Sequence, residues 1–165
     1  MRTIKFKAKR QDDGQWVTGD LLQHLDGDVL IGDNTGPWTD CGYSHCDYSQ
    51  LYKVDPTTVC QFTGFTDKNG KEIYEGDVLR SDEFPFSFIN EQRKYLDLRF
   101  GSIVWDEEKC KFSMLCYTNK KHELTVDKYF EGANYDINQL WCSKFEVVGS
   151  IHDKEWQENL NPKDE

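Results

Sequence analysis

The segment Thr3-Ile4-Lys5-Phe6-Lys7-Ala8-Lys9 alternates without a break, with Ile4, Phe6 and Ala8 on one side and three lysines on the other. A period of two is the pattern of a half-buried β-strand and argues against an amphipathic helix over the same residues. The pattern returns in short pieces along the chain, each ended by turn chemistry. Asp13-Gly14 leads into Gln15 to Leu22, and Asp26-Gly27-Asp28 leads into Val29-Leu30-Ile31, so the first third predicts a β-meander.

Periodicity stops from Gly32 to Ser49, where Gly36, Pro37 and Gly42 are mixed with Trp38, Tyr43, Tyr48, Cys41, His45 and Cys46. This reads as an aromatic-rich loop. Leu51 to Val54 and Thr57 to Thr63 are β-branched and aromatic, and Asp55-Pro56 separates them, which predicts two strands or one broken strand. Asp67-Lys68-Asn69-Gly70 is a turn. Ile73 to Leu79 predicts a strand, a loop follows from Ser81 to Asp97, and Gly101 to Trp105 with Cys110 to Tyr117 predicts a hairpin. Leu124 to Lys144 is ambiguous and accommodates one short helix. Phe145 to Ile151 predicts a closing strand, and Asp153, Trp156, Leu160 and Pro162 predict a short C-terminal helix with a cap and a stop.

The expected fold class is therefore all-β. Residues 1–64 form an N-terminal β-meander lobe, and residues 65–165 form a second lobe, an SH3-like small barrel over Phe65 to Ile151 with a short C-terminal helix. No apolar run reaches the roughly 18 residues of a membrane span, and Met1 leads straight into the alternating segment. No membrane association is expected, and a reducing cytoplasm would keep the six cysteines as thiols.

Residues 58–79, Thr58-Val59-Cys60-Gln61-Phe62-Thr63-Gly64-Phe65-Thr66-Asp67-Lys68-Asn69-Gly70-Lys71-Glu72-Ile73-Tyr74-Glu75-Gly76-Asp77-Val78-Leu79, resemble the central motif of the YopX family of phage and prophage proteins. Ile4 to Ala8 resembles the family's opening strand and Phe145 to Ile151 its closing one. Cys60 and Phe65 depart from the pattern, where a small residue and a leucine would be expected. The resemblance implies an all-β fold, homo-oligomeric assembly and a phage or prophage gene expressed in the cytoplasm of a bacterial host. It implies no established activity and no catalytic residue.

Within the motif, Gln61, Gly64, Asp67, Gly70, Ile73, Tyr74, Gly76 and Asp77 are the candidate site residues, in a structural or interaction role. Asp67, Glu72, Glu75 and Asp77 crowd carboxylates together, and a glycosidase-like pair or a cation site is the catalytic alternative. Turn and strand-entry chemistry accounts for Asp67, Asn69 and Gly76-Asp77 without it, and Glu72 and Glu75 are expected to be exposed charges. Cys41, His45 and Cys46 could join Cys60, Cys110, Cys116, Cys142 or His152 around zinc, but no pair has the spacing of a zinc knuckle. Neither metal nor cofactor is expected. The common nucleotide-binding and hydrolase loops are absent as well.

Charge narrows the partners. The chain has 20 Lys and Arg against 30 Asp and Glu, a net charge of -10, which argues against broad nucleic-acid binding. Yet residues 1–11 hold Arg2, Lys5, Lys7, Lys9 and Arg10 and no acid, which leaves 15 basic against 30 acidic residues in the remainder, or -15. The leading expectation is a homo-oligomeric structural or interaction protein, with a host or phage protein as a further partner and Trp38, Tyr43, Tyr48 and Tyr52 as interface types. The alternative is a nucleic-acid-associated regulator. It would either contact DNA or RNA locally through the basic strand, or use its acidic surface to occupy a host DNA-binding protein.

Overall fold

A computed structural model describes residues 3–32, 51–81, 100–120, 123–126 and 135–160. The aromatic-rich segment 33–49 and most of the loop 81–97 lie outside the described residues. The chain divides into two units, Met1–Phe62 and Thr63–Glu165.

In the first unit, β1 (Phe6–Lys9) pairs antiparallel with the start of β2 (Trp16–Gln23). The end of β2 pairs with β3 (Val29–Gly32), and β3 pairs with β4 (Leu51–Lys53). β2 changes partner at Gly19, where any Cβ would collide with the carbonyl oxygen of Gly32. The sheet then returns on itself beyond β4. Arg10 bridges Val54, Gln11 N donates to Lys53 O at 3.0 Å, and Asp55 N donates to Lys9 O at 2.8 Å. β1 to β4 thus form a hydrogen-bonded ring around Ala8, Ile31 and Val54, all fully buried, with Phe6, Val17, Leu21 and Tyr52 packed against them. Alternation supplies Phe6 and Ala8 of this core directly, and the short segments Val29 to Ile31 and Leu51 to Val54 supply Ile31 and Val54.

The segment after Asp55 departs from the predicted strand. Pro56–Thr58 is a single 3-10 turn, because proline suits its first position and the Asp55 carboxylate accepts Thr57 N at 2.9 Å. β5 (Cys60–Thr66) follows, and its first residues pair with β1.

In the second unit, β6 (Glu72–Tyr74) lies beside β5. The expected single strand from Ile73 to Leu79 is two, because Glu75-Gly76 turns the chain between β6 and β7 (Asp77–Arg80). β8 (Phe100–Asp106) and β9 (Lys111–Lys120) form the predicted hairpin. The ambiguous stretch holds β10 (Glu123–Val126), β11 (Tyr135–Asp136) and α1 (Gln139–Cys142), and β12 (Glu146–Ser150) and α2 (Lys154–Leu160) end the unit. The strand order is β10-β9-β8-β7-β12, with β11 on β9. Among the described residues no pairing joins β10 to β12. Instead α2 packs against β10 and sets Trp156 on Gly149 of β12, so one helix touches both ends of the strand order. The core is Ile73, Leu79, Ile103, Phe112, Met114, Cys142, Phe145 and Val147.

Asp153 serves the terminal helix with its carbonyl, which accepts Trp156 N and Gln157 N at 3.0 Å each. Its carboxylate turns back to accept Ser150 N at 3.0 Å. No helix among the described residues is long and apolar enough to cross a membrane.

Candidate functional site

The turn predicted at Asp67 to Gly70 is organised by one side chain. Asp67 is 4% exposed, and its Oδ1 accepts Asn69 N at 2.8 Å and Lys71 N at 2.9 Å. Its Oδ2 accepts Val147 N at 3.0 Å. The backbone repeats the connection: Lys68 N donates to Phe145 O at 2.8 Å, and Lys68 Nζ lies 3.0 Å from a carboxylate oxygen of Glu146. An aspartate is required because one planar carboxylate must accept from two turn amides and one strand amide at once. Gly70 closes the turn with φ of 82°, a conformation that costs a side-chain-bearing residue energy.

A second buried aspartate holds the next turn. Asp77 is 1% exposed, and its Oδ2 accepts Tyr74 N at 2.8 Å. Between them Gly76 has φ of 73°, donates to Ile103 O at 2.8 Å and accepts from Ile151 N at 2.9 Å. Tyr74 is buried, and its hydroxyl donates to Glu72 at 2.7 Å. Burial, and then the adjoining Glu72 carboxylate, push the tyrosine well above its ordinary range, so the phenol stays neutral near physiological pH. Glu72 is thus a half-buried partner of Tyr74 rather than an exposed charge. Thr63 Oγ1 donates to Ile73 O at 2.8 Å and accepts Phe65 N at 3.2 Å.

The eight candidate residues fall into separate groups. Asp67 and Gly70 share one turn, Tyr74, Gly76 and Asp77 share the next, and Ile73 is a core residue. Gly64 is exposed with φ of 91°. Gln61 stands apart in β5, opposite Phe6 of β1. The Asp67 carboxylate and Oδ2 of Asp77 accept from backbone amides, a turn-holding role.

Among the described residues, Cys60 and Cys142 are buried packing groups. Burial pushes the Cys142 thiol up to about 11, which disfavours the thiolate needed for nucleophilic attack. Cys60 is buried and lies 3.3 Å from Thr58 O, while Cys110 is exposed in the β8–β9 turn with φ of 50°. Cys41, His45, Cys46, His122 and the side chain of Cys116 lie outside the described residues. Among the described residues no three His, Cys, Asp or Glu side chains are grouped to hold a metal.

Two surfaces of the first unit stand out that the motif does not include. On one, Lys7 Nζ lies 4.6 Å and Lys9 Nζ 5.2 Å from the Trp16 ring centroid, and the Arg10 guanidinium lies 4.5 Å from that of Tyr52. Tyr52 packs against the core and is not a surface aromatic. On the other, the cross-strand row Leu22, Leu30, Lys53 lies beside the row Asp20, Gly32, Leu51. The Leu22 and Leu51 side chains flank Gly32, Leu22 is 44% exposed, and Leu25 at the hairpin tip is fully exposed. The period of two from Trp16 to Leu22 carries the signal for both, since it sets Trp16, Thr18, Asp20 and Leu22 on one side.

Comparison with known proteins adds a family and a distant structure. A family model described as YopX protein matches residues 5–155. Protein EF1440 from Enterococcus faecalis, a crystal structure, aligns over 99% of this chain and 98% of its own, at 20% identity and a TM-score of 0.41. No curated protein matches.

Proposed function

The chain belongs to the YopX family, and from that premise we propose that it is a homo-oligomeric interaction protein serving a phage or prophage in a bacterial cytoplasm. The observation that carries this reading is the leucine surface on β2, β3 and β4. Leu22, Leu30 and Leu51 surround Gly32, with Asp20 and Lys53 at opposite corners. A second copy turned about a two-fold axis along the Leu22-to-Leu51 diagonal would set leucine against leucine and bring Lys53, which pairs with Asp28 of its own chain at 2.6 Å, to face Asp20. A surface that is complementary to itself in this way is what a closed two-fold contact needs. Light scattering on purified protein tests it. An oligomer is expected, and Leu22→Asp should dissociate it while leaving the melting temperature within a few degrees. A monomer at concentrations of about 100 μM, weak on the scale of specific association, would overturn it.

A second reading has its own observation. Lys7 and Lys9 over Trp16 combine cations with an aromatic ring on the β1–β2 strand pair, the combination of groups that a local contact to a single-stranded nucleic acid uses. Binding of an oligonucleotide that weakens steeply with salt and is lost in Lys7→Ala would favour this reading. Salt-independent binding would sink it.

A further inference from the structure

Asn69 is the one asparagine in the sequence that is followed by glycine. Both residues are exposed at the turn between β5 and β6. Glycine places no side chain in the way when its backbone nitrogen approaches the preceding carboxamide. We propose that Asn69-Gly70 is a self-modifying site that deamidates through a cyclic imide, and that the Asp67 clamp governs both its rate and its consequence.

The chemistry needs water alone. The Gly70 nitrogen gives up its proton to hydroxide and bonds to Cγ of Asn69. The Cγ–Nδ2 bond then breaks, and ammonia leaves with a proton from water. A second water opens the five-membered imide at one carbonyl or the other, giving aspartate or isoaspartate.

In the folded turn this attack is held back, because Gly70 N donates to Asp67 O at 3.0 Å. Asn69 N and Lys71 N, on either side, both donate to Asp67 Oδ1. The nitrogen must leave its acceptor before it can reach Cγ, so the reaction proceeds through local opening of the turn and is slowed by the opening equilibrium. The product then prevents the turn from re-forming as it was. Isoaspartate adds a carbon to the main chain between Asn69 N and Lys71 N, two donors that one oxygen holds together. The other oxygen of Asp67 holds Val147 N, so damage in the turn passes to β12.

The test compares native protein with protein unfolded in guanidinium chloride, both incubated at mildly alkaline pH, with Asn69→Ser as the control. The peptide containing residue 69 is followed by the mass gain of amide-to-acid conversion and by an isoaspartate assay. Conversion is expected to be faster in the unfolded chain by about tenfold or more, as for a site gated by local opening. Aged native protein should melt below fresh protein, and by more than aged Asn69→Ser falls below fresh Asn69→Ser. Equal rates in the two states, no conversion in either, or an aged protein that melts like the fresh one would overturn the proposal. Asp13-Gly14 and Asp26-Gly27 can isomerise through the same ring without a mass change, and the control separates their effect.

Discussion

The Asp67 carboxylate accepts the backbone amide of Val147, 80 residues further along the chain, at 3.0 Å. With Lys68 N on Phe145 O, this ties the turn of the family motif to the closing strand. The two segments that carry the family resemblance at opposite ends of the second unit are therefore physically joined. Asp67→Ala strands three amides, two of them in the turn and one on β12. Val147 N is the buried donor among them, and leaving it unsatisfied costs about 1–3 kcal/mol, while the amides of the exposed Asn69 and Lys71 can turn to water, so a loss of at least about 1 kcal/mol is expected. Urea denaturation should show a lower midpoint with an unchanged slope. Asp67→Asn, which keeps one acceptor oxygen and places an NH2 against a donor, should fall between the native protein and the alanine variant. A native-like midpoint for Asp67→Ala would show that the carboxylate contributes little.

Much of this arrangement was legible in the sequence, and the reason is local. Alternation set Phe6 and Ala8 inward, and Asp-Gly pairs placed the hairpins, because strand period and turn chemistry act between neighbours in the chain. The partner of Asp67 was not legible. A turn aspartate looks the same whether its second oxygen faces water or an amide 80 residues away. Glu72 was expected to be an exposed charge for a similar reason, since nothing in Glu72-Ile73-Tyr74 says that the tyrosine hydroxyl folds back onto it. The break at Glu75-Gly76 was hidden by the apolar residues on either side, which read as one strand from Ile73 to Leu79. The ring of β1 to β4 rests on pairing of Lys9 to Gln11 with Lys53 to Asp55, a long-range match that no periodicity announces.

Gly70→Val and Gly76→Val should each lower the melting temperature. Both glycines have positive φ, 82° and 73°, which is a strained region for a β-branched residue. At Gly70 a Cβ would meet nothing within 4 Å, so the cost there is conformational alone, about 1–2 kcal/mol. Gly70→Asn should be milder than Gly70→Val, because asparagine tolerates the left-handed region. Thermal melts of the three variants check the order, and equal melting of the asparagine and valine variants would remove the conformational explanation.

Gly149→Ala should loosen the terminal helix. A Cβ at this position would run into the indole nitrogen of Trp156, whose ring also lies 5.7 Å from that of Phe100. The register of β12 against β7 shifts between Val147 and Gly149, so the glycine sits where the strand makes room for the ring. Because the clash is between two named side-chain positions, the substitutions should not add. Gly149→Ala is expected to destabilise the native protein by about 1–3 kcal/mol, as overpacking does, but much less in a Trp156→Ala background. A double-mutant cycle measured by denaturation gives the coupling directly, and full additivity would place the cost elsewhere.

Stability should decline as pH rises above 9, and two buried protons account for it. Burial raises the Cys142 thiol from its ordinary 9.0 to about 11, while burial and Glu72 raise Tyr74 above its ordinary 10.0. Below pH 9 the folded and unfolded chains both keep these protons, and the stability they contribute is fully present. Above that pH the unfolded chain ionises first, because its cysteine and tyrosine have ordinary values. The equilibrium is then drawn toward unfolding, and stability continues to fall until the folded groups ionise in turn. Cys142→Ala leaves a cavity in the core beside Phe145 and should start less stable. It should nonetheless lose less stability than the native protein between pH 9 and 11. Tyr74→Phe should flatten the decline above pH 10. Denaturation midpoints measured across this range separate the two contributions. If both variants followed the native profile in parallel, neither proton could be the source of the alkaline loss.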